Sequence, residues 1–128
     1  MRIDHVAIYC SDFDAMKVFL SKYFGTIAGE DNLSKRSGQT NCFLSFPDGG
    51  SRLELMTYPQ EARLNKNPAD RILAHLSISV GSKKQVDALT HQLEKDGYKV
   101  LSGPRTTGDG YYESCVSVIE DLQIEITE

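Results

Sequence analysis

The sequence predicts an α+β fold in which one strand-and-helix module is written twice within a single domain of 128 residues. Three observations carry this prediction. The chain repeats when His5 is laid over His75, each copy follows its first strand with a glycine-stopped amphipathic helix, and each ends in a strand whose glutamate stands between apolar neighbours.

The first strands come first. Ile3-Asp4-His5-Val6-Ala7-Ile8-Tyr9 matches Leu73-Ala74-His75-Leu76-Ser77-Ile78-Ser79, and both alternate with period two. Val6 and Ile8 in one copy, and Leu76, Ile78 and Val80 in the other, share the face that packs inward. His5, Ala7 and Tyr9, like His75, Ser77 and Ser79, take the opposite, open face. Each strand runs into a helix-start pattern of capping-box form, Ser11-Asp12-Phe13-Asp14 and Ser82-Lys83-Lys84-Gln85. Met16, Phe19, Leu20 and Tyr23 recur at helical spacing before Gly25, as Val86, Leu89 and Leu93 do before Gly97. A strand-rich half follows each helix: Asn41 to Phe46 with Ser51 to Thr57 across Pro47-Asp48-Gly49-Gly50, and Tyr112 to Ile119 with Leu122 to Thr127. The stretch from Tyr58 to Asp70, with Pro59 and Pro68, reads as the linker, so module 1 covers about 1-67 and module 2 about 70-128.

Composition bounds the function. A domain of this length buries roughly two-thirds of its unfolded surface without a staple. A formal charge of -4 repels nucleic acid and anionic membranes, which leaves a small molecule or a protein as partner. Cys10, Cys42 and Cys115 are odd in number and outside any C-x-x-C pair, so they form neither a disulfide framework nor a thiolate zinc site and indicate a reducing compartment. The first residues enter a strand pattern without the apolar core of a signal peptide, and no run is long and apolar enough to span a bilayer. A cytoplasmic location is expected.

The glutamates define the candidate site. In Leu53-Glu54-Leu55 and Ile124-Glu125-Ile126 the apolar neighbours take the inward face, so each carboxylate points where the histidines point. Each copy thus offers one imidazole and one carboxylate on its open face. Two nitrogens and two carboxylate oxygens suit one borderline divalent ion such as zinc, nickel, cobalt, iron or manganese, and leave room for water or substrate. A lone histidine early in a strand, or a lone glutamate between leucines, is more often a solvated face residue than a ligand. Repetition changes the balance, because folding alone does not require a histidine at the same strand position twice. His91 is the control: it lies mid-helix at no repeated position and reads as a surface residue.

These residues resemble the vicinal oxygen chelate superfamily. The resemblance covers essentially the whole chain and rests on "IDHVAIYCSDFDAMKVFLSKYFG", "AHLSISVGSKKQVDAL", "SRLELMTYP" and "GPRTTGDGYYESCVSVIEDLQIEITE". It implies two βαβββ modules in tandem forming an eight-stranded, metal-lined cup. The order His5, Glu54, His75, Glu125 is similar to that of glyoxalase I, as are "LAHLSISV" and "LELMTY" to segments of the bacterial enzyme. The implied activity is a metal-dependent lyase acting on the hemithioacetal of methylglyoxal and a thiol such as glutathione, through an enediolate. Glu125 is the implied base, with Glu54 as the symmetric alternative. Tyr9 stands where bacterial glyoxalase I commonly has an arginine that contacts substrate. Arg105, in a segment preceding a strand near the cup's rim, is the leading basic candidate for substrate binding, with Lys35 and Arg36 behind it. Tyr111 and Tyr112 alternate, so only one of them faces the cup. A homodimer is implied too, in many members with the ligands for each metal drawn from both chains. Two rival readings accompany this one: thiol transfer onto an electrophilic drug of the fosfomycin kind, with Glu54 idle, and a metal-free drug-binding protein of the bleomycin-resistance kind.

Overall fold

A computed structural model describes residues 4-35, 38-57, 73-108 and 110-128. The chain divides into two compact units, Met1–Pro68 and Ala69–Glu128. The predicted linker residues from Tyr58 to Asp70 lie outside the described residues, as do Ile3, Arg36 and Asp109.

The first unit holds β1 (His5–Cys10), α1 (Phe13–Phe24), β2 (Ile27–Ala28), β3 (Asn32–Leu33), β4 (Thr40–Ser45) and β5 (Arg52–Thr57). Its sheet runs β1-β5-β4-β2, with β3 also on β4, so β2 and β3 are two pieces of one interrupted edge strand. Gly29 bridges the pieces by donating its N–H to the Phe43 carbonyl at 2.9 Å. The edge pieces escaped the sequence reading because two residues are too few to show a period. β1 runs parallel to β5, and β4 antiparallel to it.

Helix α1 starts one residue later than the capping pattern suggested. Asp12, not Ser11, is the N-cap, and its carboxylate accepts from the Ala15 N–H at 3.0 Å. An aspartate satisfies a first-turn donor as a serine would and adds a charge that suits the positive end of the helix. At the other end Gly25 takes the left-handed conformation, with φ 65, and closes the last turn. Met16, Phe19 and Leu20 are buried, and Tyr23 is half-buried. Across from them Ile8, Cys10, Cys42, Leu44, Leu53 and Leu55 complete the core of this unit. Each large apolar side chain so buried stabilises by about 1.5–3 kcal/mol.

The second unit repeats the plan with β6 (Leu76–Ser79), α2 (Lys83–Lys95), β7 (Lys99–Thr106), β8 (Tyr112–Ser117) and β9 (Gln123–Thr127), in the order β6-β9-β8-β7. Here the capping pattern holds: Ser82 is the N-cap and accepts from the Gln85 N–H at 3.3 Å. Val86 and Leu93 are buried, Leu89 is half-buried, and Thr90 joins them inside. Thr90 is tolerated there because its hydroxyl reaches the Val86 carbonyl and the Ser114 hydroxyl, both at 2.6 Å.

Strand β7 is the edge partner of β8, and the sequence reading assigned no strand there. Its register slips between Val100 and Ser102 and again between Ser102 and Arg105, which destroys the two-residue period. Gly103, at φ 77, lets β7 lie close to β8: a Cβ there would run into the Glu113 carbonyl. Among the described residues no helix is long and apolar enough to cross a membrane.

Candidate metal centre

Ladder register puts a histidine and a glutamate at matched places in both units. In the first, His5 pairs with Arg52 and Ala7 with Glu54, so Glu54 lies one diagonal step from His5 on the same face. In the second, Ser77 pairs with Glu125, and extending the ladder past Leu76 and Ile124 sets His75 in the same diagonal relation. The faces follow from the flanks: Leu53 and Leu55 are 6% and 0% exposed, and Ile124 and Ile126 are both 0% exposed, so the glutamate between each pair points away from the core.

The side chains meet accordingly. His5 Nε2 lies 3.6 Å from Glu54 Oε2, with the two side chains 40% and 13% exposed. His75 Nε2 lies 3.2 Å from Glu125 Oε2, with exposures of 46% and 22%. Each pair therefore has one nitrogen and one oxygen turned toward the same accessible spot. That chemistry, an imidazole with a carboxylate, is half of a borderline-metal shell. Among the described residues no group of three or more His, Cys, Asp and Glu stands ready to hold an ion, so the donors come in twos.

The surroundings of the two pairs differ. The Asn41 amide donates to Glu54 Oε1. Asp4 Oδ2 lies 3.0 Å from His5 Nδ1 and accepts from Arg52 Nη2 at 2.6 Å. The hydrogen bond with His5, joined by the one from Arg52, holds the Asp4 carboxyl at about 2, well below the usual range. In the second unit Glu125 faces Cys115 directly across β8, and Glu113 lies two residues from Cys115 on that face. Burial pushes the Cys115 thiol up, and the charges of Glu125 and Glu113 push it further.

Glu54 pairs with Phe43 and Glu125 with Cys115, so the counterpart of Cys42 is Ser114, and both are buried.

The remaining candidates take defined places. Arg105 lies within β7, ahead of β8, and pairs with Glu113 on the face that carries Glu125. Tyr9 is exposed, on the open face with His5. The Tyr112 hydroxyl donates to Asp87 of α2 at 2.7 Å, and Lys83 stands over its ring. Tyr112 thus turns to the helix side, while Tyr111 is exposed. Lys35 and His91 are exposed as well. Arg36 lies outside the described residues. Asp4, Asn41, Arg52 and Phe43 surround the first pair, and the sequence reading passed over them. The signal available for them was the strand alternation that had placed His5 and Glu54: Arg52 stands two residues before Glu54.

The chain is similar to an uncharacterized protein, YwkD, of Bacillus subtilis (strain 168), 28% identical over 112 residues, which are 82% of this chain and 84% of that one. Solved structures share the fold. A glyoxalase/bleomycin resistance protein/dioxygenase domain from Frankia sp. EAN1pec superposes with a TM-score of 0.82 at 16% identity, covering 99% of this chain and 96% of that one. A possible glyoxalase from Bacillus cereus gives a TM-score of 0.70 at 23% identity, over 100% and 99% of the two chains. The trypanothione-dependent glyoxalase I of Leishmania major gives 0.77 at 20% identity, over 100% of this chain and 86% of that one. The model of the Glyoxalase/Bleomycin resistance protein/Dioxygenase superfamily matches residues 2–122, and the chain belongs to that superfamily, also called the vicinal oxygen chelate superfamily.

Proposed function

We propose that this protein is a divalent-metal-dependent lyase of glyoxalase I type, which isomerises the hemithioacetal of methylglyoxal and a thiol. Members of the superfamily generally bind a divalent metal and act on small molecules. The observation that carries the proposal is the twofold occurrence of one imidazole beside one carboxylate, at the same register on the accessible face of each sheet.

His5, Glu54, His75 and Glu125 are the residues that would hold the ion, as two halves of one four-ligand set. Donors that come in twos suit the homodimer expected from the resemblance, in which each shell is completed across chains. Nickel or zinc fits the donors best, with cobalt, manganese or iron as further candidates. Bound there, the ion would supply Lewis acidity to two vicinal oxygens of the substrate.

The chain's own residues divide the remaining work. Glu125 takes the proton from the hemithioacetal carbon and returns it to the neighbouring carbon, a task worth roughly 10²–10⁴ in rate. The asymmetry of the pairs supports this assignment over Glu54. An amide of Asn41 occupies one Glu54 oxygen, whereas Glu125 faces the Cys115 thiol across the ladder. Arg105 on the same face, Tyr9 and Tyr111 would contact the substrate, and the Arg105 guanidinium suits a carboxylate such as those of glutathione. The protein would act in the cytoplasm, where thiol is plentiful.

The test is metal content after reconstitution, followed by lactoyl-thioester formation from methylglyoxal and glutathione. Nickel or zinc should bind and be lost in His75→Ala and Glu54→Gln, and turnover should vanish in Glu125→Gln. Occupancy that neither change affects would refute the ligand set. A metal-loaded wild type inactive with every thiol would refute the reaction.

A further inference from the structure

The two histidines are held by different means. Asp4 Oδ2 is shared between His5 Nδ1 at 3.0 Å and Arg52 Nη2 at 2.6 Å. The main chain fixes the same two residues, the Arg52 N–H donating to the Asp4 carbonyl at 3.0 Å. Arg52 also lies over the Phe43 ring, 4.4 Å from its centroid, and the edge of that ring system meets His5 at 5.2 Å and 89°. Asp4, Arg52 and Phe43 thus enclose one side of the imidazole, and Glu54 lies off its Nε2.

The second module has no counterpart to this arrangement. Ala74 stands where Asp4 does, Gln123 where Arg52 does, and Cys115 where Phe43 does. Alanine offers no carboxylate to His75 Nδ1, and the carboxylate that does reach this ring is Glu125, whose Oε2 lies 3.2 Å from Nε2.

We infer that Asp4, oriented by Arg52, is a positioning residue that keeps the His5 proton on Nδ1, since Glu54 at 3.6 Å is too far from Nε2 to hold a proton there, while the His75 proton sits on Nε2 beside Glu125. An aspartate paired with arginine can only accept, so the imidazole nitrogen facing it must be the donor. The other nitrogen is then a preformed ligand, and the outer carboxylate makes it a better one. His5 is the half of the donor set already in its ligating tautomer, and His75 the half whose proton must leave Nε2 on binding. The consequence for metal affinity rests on the function proposed above; the tautomer does not.

The experiment uses metal-free, ¹⁵N-labelled full-length protein at roughly pH 8.5, about two units above the ordinary imidazole value. Long-range proton-nitrogen correlation spectra read the tautomer of each ring, and single His→Gln changes assign the three histidines. His5 should be held as Nδ1–H in the wild type and lose that preference in Asp4→Ala, with Arg52→Met in between, while His75 carries its proton on Nε2 throughout. Zinc titration of the same proteins should show about a 10–100-fold weaker affinity for Asp4→Ala. A His5 ring lacking the Nδ1 proton in the wild type, or keeping it in a folded Asp4→Ala protein, overturns the inference. Altered tautomer with unaltered zinc affinity overturns its metal-binding consequence. A wild type that takes up no zinc refutes the proposed function instead, and the spectra still decide the tautomer.

Discussion

Cys115 faces Glu125 directly across the ladder between β8 and β9, and this neighbour leaves its mark on the thiol. Burial is the largest cause of the upward push on Cys115, with Glu125 and Glu113 adding to it, because a thiolate there would stand beside two carboxylates. Cys10 and Cys42 are buried in the core of the first unit. An aromatic disulfide reagent at pH 8 should therefore modify one thiol in the folded protein, more slowly than free cysteine, and the other two only after denaturation. Glu113→Gln should speed that one reaction. Rapid modification of all three thiols in the native protein would contradict this ordering.

The buried hydroxyl pair of the second unit predicts unequal costs. Thr90 reaches both the Val86 carbonyl and Ser114 at 2.6 Å, so its hydroxyl keeps one partner whatever happens at Ser114. Ser114→Ala should cost about 1 kcal/mol, the net worth of one hydrogen bond. Thr90→Val strands the Ser114 hydroxyl in the core and should cost about 1–3 kcal/mol. Urea unfolding of the two variants decides it, and equal midpoints would count against the pairing.

Asp4 makes the stability of the metal-free protein depend on acid. Its folded-state value of about 2 lies below the ordinary 3.8, so the ionised form favours folding. That contribution is fully present above the unfolded value and is lost as pH falls from about 4 through 2. In chelator, the wild type should melt slightly above Asp4→Asn at pH 6, and the gap should close as pH approaches 2. The effect is small because the side chain is in solvent. A gap that persists at pH 2 would place the stabilisation elsewhere.

What could be read from sequence follows from where period survives. His5, Glu54, His75 and Glu125 were placed on their faces by alternation, because each lies in or beside a strand whose neighbours pack into a core and so must be apolar. The same logic found α1 and α2. It failed at β2 and β3, which are too short to alternate, and at β7, where two register shifts break the period around Gly103. It also missed the group around His5. Asp4 and Arg52 are ordinary exposed charges until the parallel pairing of β1 with β5 sets one against the other. Long-range register is the information that a single sequence withholds.

The turn before β9 offers a last prediction, because it sets the register that puts Glu125 on the accessible face. Leu122 donates to the Ile119 carbonyl at 3.2 Å, and Val118 to the Leu122 carbonyl at 2.8 Å. Between them Glu120 and Asp121 adopt φ 56 and 58, the two successive left-handed residues of a type I′ hairpin turn. Glutamate is unsuited to that conformation, which costs such an L-residue about 1 kcal/mol or more, whereas aspartate tolerates it better. Asparagine and glycine are the residues that a turn of this type prefers. Glu120→Asn with Asp121→Gly should thus raise stability by about 1 kcal/mol, less whatever the glutamate and aspartate side chains contribute. Zinc uptake should stay unchanged, since Ile124 and Ile126 still hold β9 in register. Lower stability would mean that those side-chain contacts outweigh the backbone strain. A loss of zinc at unchanged stability would mean that the turn, and not the core, fixes where Glu125 points.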